Sequence, residues 1–416
     1  MRSPPAGLAL ALLLVGLPDA GADGTGTSDA AAGDPAPIVI VLSWDGVRHD
    51  YPDWAEFPAL GRIEREGARA ERLLPPFPSL TFPAHVTLAT GTHPDRHGIV
   101  ANNFWEGERR YDHSADASWI QAEPIWAAAE RQGVRSAVFF WVGSETDWRG
   151  RGASYRKSPF DSKIGEAEKV DQLLAWLDLP EPQRPRLLMA WWHGADRVGH
   201  RRGPERSYIV PQLADQDAQL ARLLEGIDRR GLWPRTTLFI VSDHGMTLAT
   251  HKLDAEATLE SAGVEARVAR AGGAAYVYLA EPRDAARAAA AFRALSGVTV
   301  YTREEIPEQL RVRHDKRTGD LMLLAQPPAM FARVNAGEQV LLGLARLFGR
   351  GAGMHGYRPE HPDMGGVFLA LGRGVAPGTR LGSVRAIDVA PSVAALLRIE
   401  APAQAEGRAV FEPPAP

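Results

Sequence analysis

Apolar positions along this chain fall into two kinds of run. Short unbroken runs rich in β-branched residues mark strands covered on both faces, and longer runs with apolar residues three and four apart mark helices packed on such a sheet. The first kind recurs at Pro37–Trp44, Val134–Val142, Arg186–Trp192, Thr236–Val241 and Gly366–Leu371. The second recurs at Trp54–Gly67, Pro124–Gln132, Lys163–Asp178, Glu205–Arg230 and Asp388–Ile399. Their alternation implies an α/β fold, a doubly wound, mostly parallel sheet with helices on both faces.

Two stretches break the alternation. Residues 252–350 read as a small α+β insertion, with strands expected at Ala274–Leu279, Val298–Tyr301 and Asp320–Leu324 and an Ala-rich helix at Asp284–Leu295. Its Arg311–Arg317 cluster and His314, like His251, are expected to be solvated surface, as most isolated charges are. At the other end, Arg2, the apolar run Leu8–Leu17 and Ala20-Gly21-Ala22 read as an export signal over residues 1–22, followed by a flexible leader at 23–36. That run is about half the roughly 20 residues of a membrane span, so the expected product is exported, periplasmic or secreted, without a stable membrane anchor. Residues 37–416 are then one catalytic domain that carries the insertion.

Composition narrows the chemistry. The 416 residues are 45% hydrophobic and 24% charged, with a net charge of −4 and no dense basic run, which argues against a nucleic-acid polymer as partner and leaves a small anionic substrate open. The chain has no cysteine, so any metal must be held by His, Asp, Glu or a hydroxyl.

One stretch places a hydroxyl where an anion would bind. In Pro78-Ser-Leu-Thr-Phe-Pro-Ala-His-Val-Thr-Leu-Ala-Thr-Gly91, Pro83 fits only the first turn of a helix, so a helix is expected to start just after Thr81, with Thr81 as its cap. Free amides at a helix start can hold a phosphate oxygen beside that hydroxyl, although on this stretch alone a plain helix cap is the more ordinary account. Elsewhere, strand ends and the loops after them carry Asp45, Asp196 with His200, and Asp243 with His244, and a later loop carries His355. Each alone reads as a turn. Together, three Asp, three His and one hydroxyl beyond the carboxyl ends of a parallel sheet match the needs of two oxygen- and nitrogen-ligated divalent ions.

Trp44-Asp45-Gly46, Thr81-Phe82-Pro83-x-His85, Thr90-Gly91, His97-Gly98-Ile99, Trp141-Val142-Gly143-Ser144-Glu145, Asp196-x-x-Gly199-His200, Ser242-Asp243-His244-Gly245-Met246 and His355-Gly356-Tyr357 lie in the order of the nucleotide pyrophosphatase/phosphodiesterase family of the alkaline phosphatase superfamily, which the chain resembles from about residue 37 to about 400. The resemblance implies two zinc ions, one on Asp196, His200 and His355, the other on Asp45, Asp243, His244 and the Thr81 hydroxyl. It implies Thr81 as nucleophile, a phosphothreonine-type intermediate, and Asn102 as donor to a non-bridging phosphate oxygen. A backbone amide near Thr81 is expected to complete that pocket.

Aromatic faces are expected around the substrate. Phe82 follows the nucleophile and Trp191 closes the strand before Asp196, with Trp192 and Phe160 as further possibilities, although adjacent strand residues face opposite ways and only one of the two Trp can line the pocket. Two departures from the family's usual pattern, Ala84 before His85 and His193-Gly194-Ala195 before Asp196, bear on substrate more than on reaction. The expected activity is phosphodiester or pyrophosphate hydrolysis on nucleotides. The alternatives are a phospholipid- or choline-type diester or a phosphomonoester on the same site, and, remotely, a non-catalytic binding protein. The absence of an Arg or Lys fork beside Thr81 and Asn102 favours a diester, with Arg96 and Arg197 the nearest exceptions.

Overall fold

A computed structural model describes residues 36–334 and 351–412. The expected signal peptide, the leader up to residue 35 and residues 335–350 of the expected insertion lie outside the described residues. Eight strands form the main sheet, in the order Thr379–Leu381, Ala68–Ala70, Phe368–Gly372, Thr236–Val241, Ile38–Trp44, Leu187–Trp192, Ser136–Phe139, Tyr155–Lys157. From Thr236–Val241 to Tyr155–Lys157 every neighbouring pair is parallel. Phe368–Gly372 runs antiparallel to both of its neighbours.

The unbroken apolar runs are where the sheet is covered twice. Ile38–Trp44, Leu187–Trp192 and Thr236–Val241 are buried at every position. Trp44 and Trp192 pair across the first two strands, and their rings stack at 5.5 Å. Trp192 therefore belongs to the core, which leaves Trp191 to face the other way. Helices Pro58–Glu66, Ile125–Arg131, Glu166–Leu177, Arg206–Arg229 and Val389–Leu397 occupy the amphipathic runs, each a few residues shorter than expected.

The divergent stretch folds as a four-stranded antiparallel sheet, Ala266–Ala271, Ala274–Leu279, Leu321–Ala325 and Val298–Thr302 in spatial order, with helices Ala255–Ser261 and Ala285–Arg293. Val277, Phe292, Leu321, Leu323 and Phe331 form a second apolar cluster there. The Ala266–Ala271 strand was not expected, because Ala-Arg-Val-Ala-Arg-Ala has one β-branched residue; six register pairs with Ala274–Leu279 hold it as an edge strand. The Arg311–Arg317 cluster is solvated surface only in part: Arg313 and Lys316 are exposed, as expected, but Arg311 and Arg317 are not. Arg317 is buried, donates to the carbonyls of Gly98 and Trp119 and pairs with Glu106, while Arg311 pairs with Asp95 and Glu406. These contacts, with Tyr276 donating to the Val100 carbonyl, tie the smaller sheet to the segment just after the Thr81 helix.

Candidate active site

Neighbouring parallel strands end on one edge of the sheet, and their last residues open into tight turns there. After Ile38–Trp44 come Asp45 and Gly46, whose amide donates to Asp243 Oδ1. Gly46 has φ +70°, and a Cβ there would lie 2.9 Å from the Asp196 backbone, so glycine is what lets the Asp45 and Asp196 turns touch. The Asp196 amide donates to the Asp45 carbonyl at 3.0 Å.

Asp196 and His200 are not on a loop, as expected, but one turn apart on a short helix, Gly194–Arg202. This i, i+4 spacing brings both to one face. Thr81 is the first residue of helix Thr81–Thr90, and Leu80 holds the cap position without a side-chain bond. The Thr81 hydroxyl does not cap the helix; it lies 3.2 Å from His244 Nε2.

Around Thr81 the structure gathers all seven residues expected as ligands. His244 Nε2 is 3.3 Å from Asp243 Oδ2 and 3.6 Å from Asp45 Oδ1. His200 Nε2 and His355 Nε2 are 3.2 and 3.6 Å from Asp196 Oδ1 and 3.0 Å from each other. The His244 and His355 rings stack at 3.7 Å between the two groups. Asp45, Asp243 and His244 form one cluster of possible metal ligands, and Asp196 and His355, with His244 again in reach, form another.

The protons in these clusters are fixed by second contacts. His200, His244 and His355 each hold Nδ1 2.9 Å from a backbone carbonyl, of Gly353, Gly245 and Ser79 respectively. A carbonyl only accepts, so Nδ1 carries the proton and Nε2 of the neutral ring is a bare lone pair. Those lone pairs face Asp45 Oδ1, Asp196 Oδ1 and Asp243 Oδ2, which are buried without a hydrogen-bond partner. Lone pairs gathered on lone pairs away from water are costly unless a cation lies among them. The donor set of imidazole, carboxylate and hydroxyl suits zinc or another divalent ion. Charges follow the same crowding: burial, then the negative charges of Asp243 and Asp196, raises the Asp45 pKa well above the usual carboxylate range. Burial, with His244 and His200 adding to it, lowers that of His355.

A cleft of about 400 Å³ opens over Thr81, with Phe82, Asn102, Phe160, Trp191 and His193 in its walls. Asn102 Oδ1 accepts from the Phe82 amide at 3.0 Å, so that amide is not free as expected, and Nδ2 is the atom Asn102 has left to donate. Trp191 does more than offer a face. Its Nε1 donates to Asp45 Oδ2 at 2.8 Å, and Phe160 stacks on it at 4.8 Å. Arg197 lines the cleft, whereas Arg96 pairs with Glu406.

Three contributors to the site stand out only in the structure. His193 is buried, with Nε2 on the Ser162 carbonyl and Nδ1 3.3 Å from Lys169 Nζ. Lys169 is fully buried and also donates to the Trp191 carbonyl at 2.8 Å. The signal was present: Lys169 shares the apolar stripe of its helix with Leu173, Trp176 and Leu177. Arg201 is the other omission, one turn beyond Arg197 and in the same cleft wall.

The family model of type I phosphodiesterases and nucleotide pyrophosphatases matches residues 39–358. The chain belongs to this family. Among the family's curated members, an uncharacterised pyrophosphatase/phosphodiesterase of Schizosaccharomyces pombe is 38% identical over 217 residues, half of this chain and 44% of that protein. Human ectonucleotide pyrophosphatase/phosphodiesterase family member 5 is 27% identical over 87% of this chain and 75% of its own. The chain spans less than half the length of the first curated relatives it matches. Murine member 5 superposes with a TM-score of 0.79 at 24% identity, covering 88% of this chain and 96% of its own, which shows that the two share a fold. A further solved structure is an inactive threonine-to-alanine form of that murine protein in complex with AMP. Among the described residues no helix is long and apolar enough to cross a membrane.

Proposed function

We propose that this chain is an exported hydrolase of nucleotide phosphodiester and pyrophosphate bonds, with Thr81 as nucleophile and two zinc ions as cofactors. One observation carries the reading: the three bare Nε2 atoms and the three orphaned carboxylate oxygens converge around the Thr81 hydroxyl. Asp45, Asp243, His244 and Thr81 would hold one cation, and Asp196, His200 and His355 the other. Bound there, the cations supply Lewis-acid charge that lowers the pKa of a hydroxyl and offsets negative charge on a phosphate.

The chain's own residues account for the remainder. Thr81 Oγ1 loses its proton to solvent and attacks phosphorus; the new O–P bond forms as the bond to the leaving oxygen breaks, that oxygen takes a proton from solvent, and the product is a phosphothreonine-type diester that still carries the nucleoside. Water then cleaves that ester, restoring the hydroxyl and releasing a nucleoside monophosphate. Asn102 Nδ2 donates to a non-bridging oxygen, with its amide plane held by Phe82 N–H. Phe82, Phe160 and Trp191 offer aromatic faces to the base. The AMP complex of the murine relative supports a nucleotide as substrate, and the apolar run Leu8–Leu17 supports export.

The deciding measurement is a panel of nitrophenyl thymidine monophosphate, nitrophenyl phosphate and nitrophenyl phosphorylcholine with purified, zinc-loaded protein. The nucleotide diester is expected to be hydrolysed fastest. A preference for the monoester or the choline diester would refute the nucleotide reading and leave the fold and ligand clusters standing.

A further inference from the structure

Behind the aromatic wall of the cleft lies a buried lysine. Lys169 sits on the apolar stripe of helix Glu166–Leu177, and among the described residues no carboxylate comes within ion-pair distance of it, though the charge of Glu166 is felt there. Its Nζ donates to the Trp191 carbonyl at 2.8 Å and lies 3.3 Å from His193 Nδ1. An amine facing Nδ1 donates to that lone pair, which puts the proton of the neutral ring on Nε2, and Nε2 lies 3.1 Å from the Ser162 carbonyl. The bonds therefore run one way, from Lys169 through His193 to the backbone of Ser162.

Ser162 belongs to the segment that carries Phe160 into the cleft wall. Residues 158–165 form neither helix nor strand, so Phe160 is placed by its contacts. One face of its ring lies on Trp191 at 4.8 Å, Phe140 and His193 meet it at 5.2 and 5.5 Å, and its amide donates to Glu145 Oε1 at 3.0 Å. It nevertheless remains one of the large hydrophobic side chains exposed among the described residues. A buried amine without an ion-pair partner is costly, and an aliphatic side chain would fill the same place on the apolar stripe. What the amine adds is a hold on two groups, the Trp191 backbone and the His193 ring, and both residues touch Phe160.

We propose that His193, held by Lys169, is a positioning residue for the aromatic wall: through the Ser162 carbonyl it sets where Phe160 stands over Trp191, and so how much the nucleoside contributes to substrate binding. The inference rests on the phosphodiesterase reading above and adds to it a residue that acts through Phe160. Both ring nitrogens of His193 are spent inside the protein, so His193 has no polar atom left to offer a base. A ring that is already held loses little conformational freedom when a base stacks on it, whereas a ring on an untied segment must be ordered at that moment. The His193-Gly194-Ala195 departure from the usual pattern of the family thereby bears on substrate through a brace and not through a contact.

The test uses two diesters with the same leaving group, nitrophenyl thymidine monophosphate and methyl nitrophenyl phosphate, which differ only in the group that stays on phosphorus. The ratio of their kcat/KM values, thymidine over methyl, measures what the nucleoside contributes and does not depend on how much of a preparation is active. His193→Phe keeps an aromatic ring and removes both bonds, while His193→Gln loses the ring and keeps one acceptor and one donor. The ratio is expected to fall about tenfold in His193→Phe, mostly through KM for the thymidine ester, and to stay within about twofold of the wild type in His193→Gln. In a Phe160→Ala background, where the ratio is already low, His193→Phe is expected to lower it no further. An unchanged ratio in His193→Phe, an equal fall in His193→Gln, or a further fall in the Phe160→Ala background each overturns the proposal. If the wild type hydrolyses neither ester, it is the phosphodiesterase reading that fails. The brace is then judged by calorimetric binding of AMP, where weaker binding by His193→Phe than by the wild type supports it and equal binding, or none by either, overturns it.

Discussion

Trp191 donates its indole N–H to Asp45 Oδ2 at 2.8 Å, while Oδ1 of the same carboxylate has no protein partner. One oxygen is thereby held and the other is left to point at His244 Nε2. A residue expected to stack on a base thus also orients a proposed metal ligand. Replacing Trp191 with Phe keeps an aromatic face for Phe160 and removes the donor. Loss of such an orienting contact typically costs about 10–100-fold in metal affinity or activity. Zinc titration of Trp191→Phe is expected to show weaker binding of one of two ions, with KM for a nucleotide diester changed less than kcat. A variant that binds zinc like the wild type but loses substrate affinity would leave Trp191 a stacking residue only.

Chelation should report on stability as well as on activity. Asp45 and Asp243 are buried and Asp196 is half-buried, and each has an oxygen shielded from water without a partner, so protein stripped of cations holds poorly compensated negative charge there. A ligand that binds only the folded state stabilises it by mass action. Treatment with a chelator is expected to abolish turnover and lower the melting temperature by several degrees, and added zinc to restore both. A chelated protein that melts where the untreated one does would argue against metal in these clusters.

Thr81→Ala tests the nucleophile. Thr81 supplies one of four proposed ligands to its cation, so the variant is expected to keep its fold and most of its zinc while losing turnover below about one part in 10³. Thr81→Ser is expected to retain measurable turnover. Mass spectrometry of acid-quenched protein should find a phosphoryl or nucleotidyl adduct on the wild type and on Thr81→Ser, and none on Thr81→Ala. Near-normal turnover by Thr81→Ala would point to direct attack by water.

The elements that present these residues differed in how readable they were. Ile38–Trp44, Leu187–Trp192 and Thr236–Val241 were legible within a residue or two because strands buried on both faces are written as unbroken apolar runs. The helix Gly194–Arg202 was not, since its first residues are Gly and Ala, its cap position is His193 and no apolar stripe runs along it. It packs against helix Arg206–Arg229 and strand Ala352–Met354, contacts the local sequence does not announce. Thr81 misled in a different way: its hydroxyl fits a helix cap by composition, and only the tertiary approach of His244 draws it away. Arg317 read as surface because a chain of basic residues gives no hint that two carbonyls and Glu106 await one of them.

Lys169 gives a pH signature separate from the proposed ligands. Burial lowers its pKa from 10.5 to about 8, with nearby Glu166 only partly offsetting it. Between those values the unfolded chain holds a proton that the folded chain has released, so stability rises with pH across that interval and the contribution is lost on acidification through about 8. The full effect is of order 3 kcal/mol at 1.36 kcal/mol per pKa unit. Chemical denaturation at pH 7.5 and 9.5 is expected to show the wild type gaining stability relative to Lys169→Met over that interval. Lys169→Met itself leaves the Trp191 carbonyl and His193 Nδ1 without a donor, a cost of about 1–3 kcal/mol for each buried group at any pH. Parallel pH profiles for the two proteins would show that Lys169 stays protonated where it lies.

Asn102 separates two ways of binding the attacked phosphate. Its Oδ1 takes the Phe82 amide, so the side chain spends its acceptor on the protein and has Nδ2 left for the substrate. Asn102→Asp preserves the bond to the Phe82 amide but replaces that donor with a second anionic oxygen facing the phosphate. Asn102→Ala removes donor and acceptor together and frees the Phe82 amide, which lies one residue from the attacking hydroxyl. A freed amide can donate to the same non-bridging oxygen and recover part of what the side chain gave. Loss of one oxyanion donor costs about 10²–10³ in kcat. Asn102→Ala is therefore expected at the mild end of that range and Asn102→Asp at or beyond the severe end, with both proteins folded and zinc-loaded. Single-turnover rates on nitrophenyl thymidine monophosphate give the order directly. If Asn102→Asp proved the milder of the two, the bond to the Phe82 amide would be what Asn102 contributes, as a brace for the start of the Thr81 helix, and the phosphate would be held without it.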